Sequence, residues 1–175
     1  MTDQSGRTPS RSTTAKYATI SDCGLYRYSL HRVWDQRSPV LPFVMLNPST
    51  ADAEVDDPTI RRCMGFAERD GFGGILVVNL FALRATKPEH LNHHPDPIGP
   101  EGDYWVLSTI NACRVSGTPI VAAWGANPHA AVRGPGALSQ DADWRHLGLT
   151  KQGAPRHPLY VKGDQPLVPF GGSHV

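Results

Sequence analysis

Cysteine is scarce in this chain and never paired in sequence. Cys23, Cys63 and Cys113 stand far apart, and without a Cys-x-x-Cys spacing a structural zinc or iron–sulfur cluster is not expected. An odd number of isolated thiols also argues against a disulfide-stapled scaffold and fits a reducing, cytoplasmic compartment. Excess charge is missing too: 17 Lys+Arg against 16 Asp+Glu leave a formal charge of +1, so no global basic field announces a nucleic-acid partner. A local basic groove is still compatible with that balance, because a modest footprint needs only a few phosphate contacts. No apolar run approaches the ~20 residues that cross a bilayer, and no apolar signal-peptide core is visible. A soluble protein with no membrane partner is the expectation, and no cofactor is implied.

What the chain has in quantity is punctuation. Its 16 prolines and 17 glycines among 175 residues predict short elements joined by many shaped loops. Residues 1–16 are rich in Ser, Thr and Arg and read as a disordered tail. Residues 17–170 read as one α/β domain, and 171–175 as a flexible end. From Tyr17 the pattern is strand-like, and Leu25 to Trp34 alternates loosely before a polar turn at Asp35 to Pro39. Val40 to Leu46 then reads as a second strand, paired with the first as an antiparallel hairpin or neighbour.

Asp57-Pro58 reads as an N-cap and first helical position. Ile60, Cys63, Met64 and Ala67 follow at helical spacing, and Gly71 stops the helix. The run Gly74 to Phe81 is continuously apolar apart from Asn79, as in a strand buried on both faces. A long loop carries His90, His93, His94 and Asp96. His90 and His94 would be a metal-binding pair only on a helix, and Pro95 and Pro97 favour an exposed polar loop instead. Gly102 to Val115 predicts a helix, Thr118 to Gly125 a buried strand, and Pro135 to Leu147 another helix with Trp144 and Leu147 inward. Lys151 to Arg156 is a turn, and His157 to Val161 is expected to close the sheet. Strands alternating with helices predict a three-layer α/β/α domain with a mostly parallel central sheet. In such sheets ligands sit beyond the carboxyl ends of the strands.

Four expected strand ends carry polar signatures: Asn47-Pro48-Ser49, Asn79 with Phe81, Trp124-Gly125 and His157-Pro158-Leu159. Each has a plain structural reading. Asn79 can cap a buried strand, His157 can stabilise a turn, and Trp124 can pack beneath a site. Asp57 is a helix cap, Arg61 and Arg62 a solvated helix face, and Cys63 a core thiol. Leu46-Asn47-Pro48-Ser49-Thr50-Ala51-Asp52, Asp57 to Cys63 and His157-Pro158-Leu159-Tyr160 resemble the family called domain of unknown function 1643, over roughly Tyr26 to Val161. More distantly, the order of motifs resembles the uracil-DNA glycosylase superfamily: a Pro-containing water-activating loop, a strand ending in Asn, a strand ending in Trp-Gly, and a final His-Pro. Leu46 stands where the glycosylase motif commonly has Gly, and no Ser-Pro follows the His-Pro.

That wider resemblance implies a nucleobase-recognising hydrolase that cleaves an N-glycosidic bond of a uracil-like or modified pyrimidine. Asn47 would hold the attacking water and His157 would donate to the base oxygen as charge develops there. Asn79 would read the base edge, with Pro48, Ser49, Thr50, Phe81, Trp124 and Gly125 around the base. Lys151, Arg156 and Lys162 would bind phosphates of a nucleic acid, DNA in the first instance, or of a nucleotide. Leu159 or Tyr160 would act as the wedge or stacking group. The alternative is a non-catalytic module that binds a nucleotide or modified base in the same pocket.

Overall fold

The computed structural model describes residues 14–49 and 51–171; Thr50 and nearly all of the expected N-terminal tail lie outside the described residues. Seven strands form one sheet: β1 (Ala15–Ile20), β2 (Arg27–Val33), β3 (Val40–Met45), β4 (Gly74–Asn79), β5 (Ile120–Ala122), β6 (Trp144–His146) and β7 (Val168–Pro169). Their spatial order is β1-β2-β4-β3-β5-β6-β7. The central strands β4, β3, β5 and β6 run parallel. At the edges, β2 and β1 on one side and β7 on the other pair antiparallel. The sheet is therefore mixed rather than mostly parallel, and β1 begins at Ala15, inside the stretch expected to be disordered.

The expected pairing of Leu25 to Trp34 with Val40 to Leu46, which contain β2 and β3, does not form, because β4 lies between them. The turn after β2 is held by β4's entry rather than by β3. Trp34 N and Asp35 N both donate to Gly73 O, and Gly73 N donates to Pro39 O. A Cβ on Gly73 would lie 2.0 Å from the Asp35 carbonyl oxygen, so only glycine lets the turn wrap this closely.

Helix α1 (Pro58–Arg69) starts as its sequence predicts. Asp57 Oδ1 accepts from Ile60 N (2.9 Å), Pro58 occupies the first turn, and Ile60, Cys63, Phe66 and Ala67 are buried. Past its end, Gly71 takes a left-handed φ of 81°. Helix α2 (Gly102–Ser116) matches expectation closely. Helix α3 does not: it spans Pro128–Leu138, capped by Asn127 through His129 N, and ends where a helix reaching Leu147 was expected to be in mid-course. Trp144 is buried, but on strand β6, and Leu147 follows just after it. His157 to Val161 does not close the sheet either. His157 caps a short 3₁₀ turn over Pro158–Tyr160, and β6 with β7 forms that edge.

Alternation along the strands builds two cores. Leu41, Phe43 and Met45 of β3, with Ile75 and Val77 of β4, pack with Ile60, Cys63 and Phe66 of α1. Val44 and Val78 face the other way, towards Val106 and Ile110 of α2 and Ala130 and Ala137 of α3. The loop between β3 and α1 is tied to the sheet by Arg32, whose side chain is fully buried. Its Nε donates to Asp56 Oδ1 (2.6 Å) and its Nη2 to Asp52 O (2.6 Å). Among the described residues no helix is long and apolar enough to cross a membrane.

Candidate functional site

Strand β3 has β4 on one side and β5 on the other, so the chain changes direction of progress across the sheet at β3. Loops leaving the adjacent carboxyl ends of β3 and β5 diverge at such a point and open a crevice. A cleft of about 500 Å³ lies there, within the range that holds a small organic ligand. It gathers Asn47 and Ser49 from the β3 exit, Asn79 from the end of β4, Trp124 and Gly125 from the β5 exit, and His157, Leu159 and Tyr160 from the 3₁₀ turn. These positions span 114 residues of sequence and share one cavity.

Asn47 is fixed at the rim. Its Nδ2 donates to Ala85 O (2.8 Å) and Pro48 O (3.1 Å), which leaves its carbonyl Oδ1 to accept a hydrogen bond from water or ligand. Pro48 is buried and accepts from Ala85 N (2.9 Å); it shapes the loop rather than lining the cleft.

Asn79 is 3% exposed. Its Nδ2 is buried without a hydrogen-bond partner, an omission that costs about 1–3 kcal/mol when nothing fills it.

His157 is half-buried, and its Nδ1 accepts from Leu159 N (3.3 Å). In the neutral ring the proton then sits on Nε2, which becomes a donor. Burial lowers the His157 pKa below its ordinary value, against an opposing pull from the Asp57 carboxylate. Tyr160, 78% exposed, lies with its ring 5.7 Å from that of His157. Leu159 is 43% exposed, so both offer apolar surface at the rim. Gly125 has a φ of 77°, and its N donates to Pro155 O (3.0 Å). A Cβ there would meet that of His157 at 3.5 Å.

Not every candidate converges. Phe81 lies outside the cleft lining; its ring meets His129 edge-on at 5.7 Å and lies beneath the Arg133 guanidinium. Lys151 and Arg156 line an adjoining depression of about 480 Å³ that shares Gly125, Ala126, His157 and Tyr160 with the cleft. Lys162 is exposed and lines neither. Trp124 is 4% exposed, stands edge-on to Trp144 and is among the residues that line the cleft. Thr50 lies outside the described residues.

The histidine-bearing loop forms a 3₁₀ turn over Pro88–His93 rather than an α-helix, so His90 and His94 do not share a helical face. His94 instead bonds Asp96 and meets Tyr26 edge-on. Cys63 is a buried thiol whose pKa burial raises.

Sequence reasoning passed over three contributors. Arg62 is not a solvated arginine: its Nε donates to Pro158 O (3.3 Å), its Nη2 donates to Val161 O, and its guanidinium covers Phe66. It clamps the His157-bearing turn onto α1. Asp57 caps α1 as expected, yet also lines the cleft, where its charge acts on His157 and Arg27.

Arg27, 2% exposed, lines the cleft as well. It gets there through a bulge in β2: Thr19 pairs with Ser29 but Ile20 pairs with Arg27, leaving Tyr28 as the extra residue. The bulge reverses the alternation, so Arg27 joins Leu30 on the α1 face while Tyr28 packs on the α2 face. The loose alternation of Leu25 to Trp34 is the trace of that bulge in the sequence.

No curated protein and no solved structure matches the chain significantly. A family profile does match, over residues 27–159, from Arg27 to the rim leucine. The chain belongs to the family described as Protein of unknown function (DUF1643).

Proposed function

We propose that the cleft binds a nucleobase and that the protein hydrolyses the N-glycosidic bond of a uracil-like or modified pyrimidine. The observation that carries this reading is Asn79: a buried amide with an unpartnered Nδ2, in the same cleft as Asn47 and His157. An amide in that setting suits the edge of a planar heterocycle, because it offers donors and an acceptor in one plane. Two cores on opposite faces of a sheet with four parallel central strands support the three-layer, glycosylase-like reading of the fold.

In this mechanism Asn79 binds the base edge and would supply about 1–3 kcal/mol of discrimination. His157 Nε2–H donates to a base oxygen as negative charge builds there, a role whose loss typically costs ~10²–10³ in rate. Asn47 Oδ1 orients water towards the sugar carbon. An amide does not accept the water proton readily, so the Asp57 carboxylate on the same wall is the group suited to receive it. Lys151 and Arg156 on the adjoining shelf would hold phosphates, and Leu159 and Tyr160 at the rim would cover or displace the neighbouring base. Because the water-holding group at Asn47 is an amide and a poor proton acceptor, one further reading is a non-catalytic module that binds a nucleotide or modified base.

The test is release of free base from uracil- or modified-pyrimidine-containing oligonucleotides, single- and double-stranded, with enzyme in excess. Base release that falls at least ~10-fold in Asn79→Ala supports the hydrolase. Saturable binding with intact ligand recovered after prolonged incubation supports the binding module, and neither release nor binding removes both.

A further inference from the structure

Among the described residues two buried side-chain polar atoms have no hydrogen-bond partner, Arg27 Nε and Asn79 Nδ2. Both are donors, and both belong to residues that line the same cleft. Internal structure accounts for only part of the Arg27 guanidinium: Nη1 donates to Ala51 O (2.5 Å). Asp57 acts on it without forming an ion pair, while the positive charges of Arg84 and Arg32 oppose it. Burial dominates, and the guanidinium pKa is brought down to about 10. A strand must bulge to aim this side chain here, and a buried cation with an unused N–H is costly unless something complementary fills the space.

We propose that Arg27 contacts the ligand directly, and that the ligand brings negative charge, formal or developing, to the buried end of the cleft where Arg27 Nε–H and Asn79 Nδ2–H await acceptors. This rests on the base-binding reading and sharpens it. The base is held best as an anion, formed when a ring imide loses its proton or when the glycosidic electron pair leaves with the base. Arg27 is thereby a ligand-binding residue that selects for the charge state of the base, while Asn79 reads its edge.

The experiment compares uracil with 5-nitrouracil, whose nitro group makes the ring N–H acidic enough to ionise at neutral pH. Binding to the full chain is measured by calorimetry for wild type, Arg27→Gln and Arg27→Lys. Wild type is expected to prefer the ionised base by roughly 10-fold or more, the scale of a charged hydrogen bond. Arg27→Gln loses most of that preference, and Arg27→Lys, which keeps the charge without the Nε–H, falls between.

Taking the ratio across both ligands and both proteins cancels the bulk of the nitro group. An unchanged preference in Arg27→Gln overturns the proposal. Should the variants not fold, the ultraviolet spectrum of the base bound to wild type decides the matter. An anion spectrum for bound 5-nitrouracil at a pH where half of the free base is ionised is expected, and a neutral spectrum overturns it. If both bases bind with no preference, the charge inference alone fails. If neither binds, the base reading fails with it.

Discussion

Asn79→Leu should make the ligand-free protein more stable while destroying its ability to bind. Asn79 is 3% exposed, and its buried Nδ2 lacks a partner. Desolvating such a group without compensation costs about 1–3 kcal/mol. Leucine has nearly the same reach and needs no hydrogen bond. Allowing for some crowding against Met45, the β3 residue in register with Asn79, a net gain of about 1–2 kcal/mol remains. For a domain of this size that is roughly 2–8 °C in Tm.

The matched control is Asn47→Leu. Its amide nitrogen is engaged by Ala85 O and Pro48 O, so the same substitution should destabilise by about 1–3 kcal/mol. Thermal melts of the two variants against wild type, without ligand, should therefore move in opposite directions. Base affinity should fall at least ~10-fold in Asn79→Leu. A lowered Tm for Asn79→Leu would mean that its amide is structurally satisfied, and the argument that a ligand completes it would fail.

Three further outcomes follow from the same geometry. Asp57→Ala should lose the cap of α1 and about 1 kcal/mol of stability by denaturant melt, while Asp57→Asn keeps the cap to Ile60 N but removes the carboxylate. If Asp57 takes the water proton, Asp57→Asn slows base release at least ~10²-fold with Tm nearly unchanged; equal rates would remove it from the chemistry. Arg62→Ala should free the Pro158–Tyr160 turn from α1, weakening base binding and exposing the turn to proteolysis; wild-type cleavage kinetics would contradict the clamp.

Acid should also destabilise the fold through its buried and half-buried histidines. His31, His146 and His157 all have pKa values lowered by burial. The unfolded chain therefore binds more protons than the folded one as pH falls below the ordinary histidine value. Their stabilisation is complete above that value and is lost on the way down through the folded values, at up to about 1.4 kcal/mol per pH unit per proton. Denaturant midpoints that stay flat across that window would refute the sign.

Local chemistry made some elements legible and long-range pairing hid the others. Asp57-Pro58 and the spacing from Ile60 to Ala67 define α1 with no help from the rest of the chain. The same cap pattern recurs at Asn127-Pro128, where it starts α3; Trp144 and Leu147 have the spacing of a helical stripe but belong to β6 and the residue after it. Strands β6 and β7, three and two residues long, are too short to show any period. They exist because β5 offers β6 a partner and β6 in turn offers one to β7. Asn47, Asn79 and Trp124-Gly125 were readable because an apolar run that stops at a polar residue marks a strand exit. Arg27 was not, since one inserted residue at Tyr28 puts its side chain on the face that simple alternation assigns to its neighbours.

The fate of Phe81 shows why sequence neighbourhood is a poor guide to this site. It lies two residues beyond Asn79, yet β4 ends at Asn79, and the backbone then follows β3 outward through Leu80 N to Met45 O and Phe81 N to Leu46 O. That continuation carries the Phe81 ring onto the α2 and α3 face with His129 and Arg133, while the cleft opens towards α1. His157 does the reverse. It belongs to no strand, and arrives because Arg62 pins its turn to α1, beside Gly125, whose φ of 77° turns the chain at the β5 exit. The cleft is thus assembled by whatever reaches the crevice between β3 and β5 on the α1 side, and its chemistry depends on Arg62 and Gly125 as much as on the residues that would touch a base.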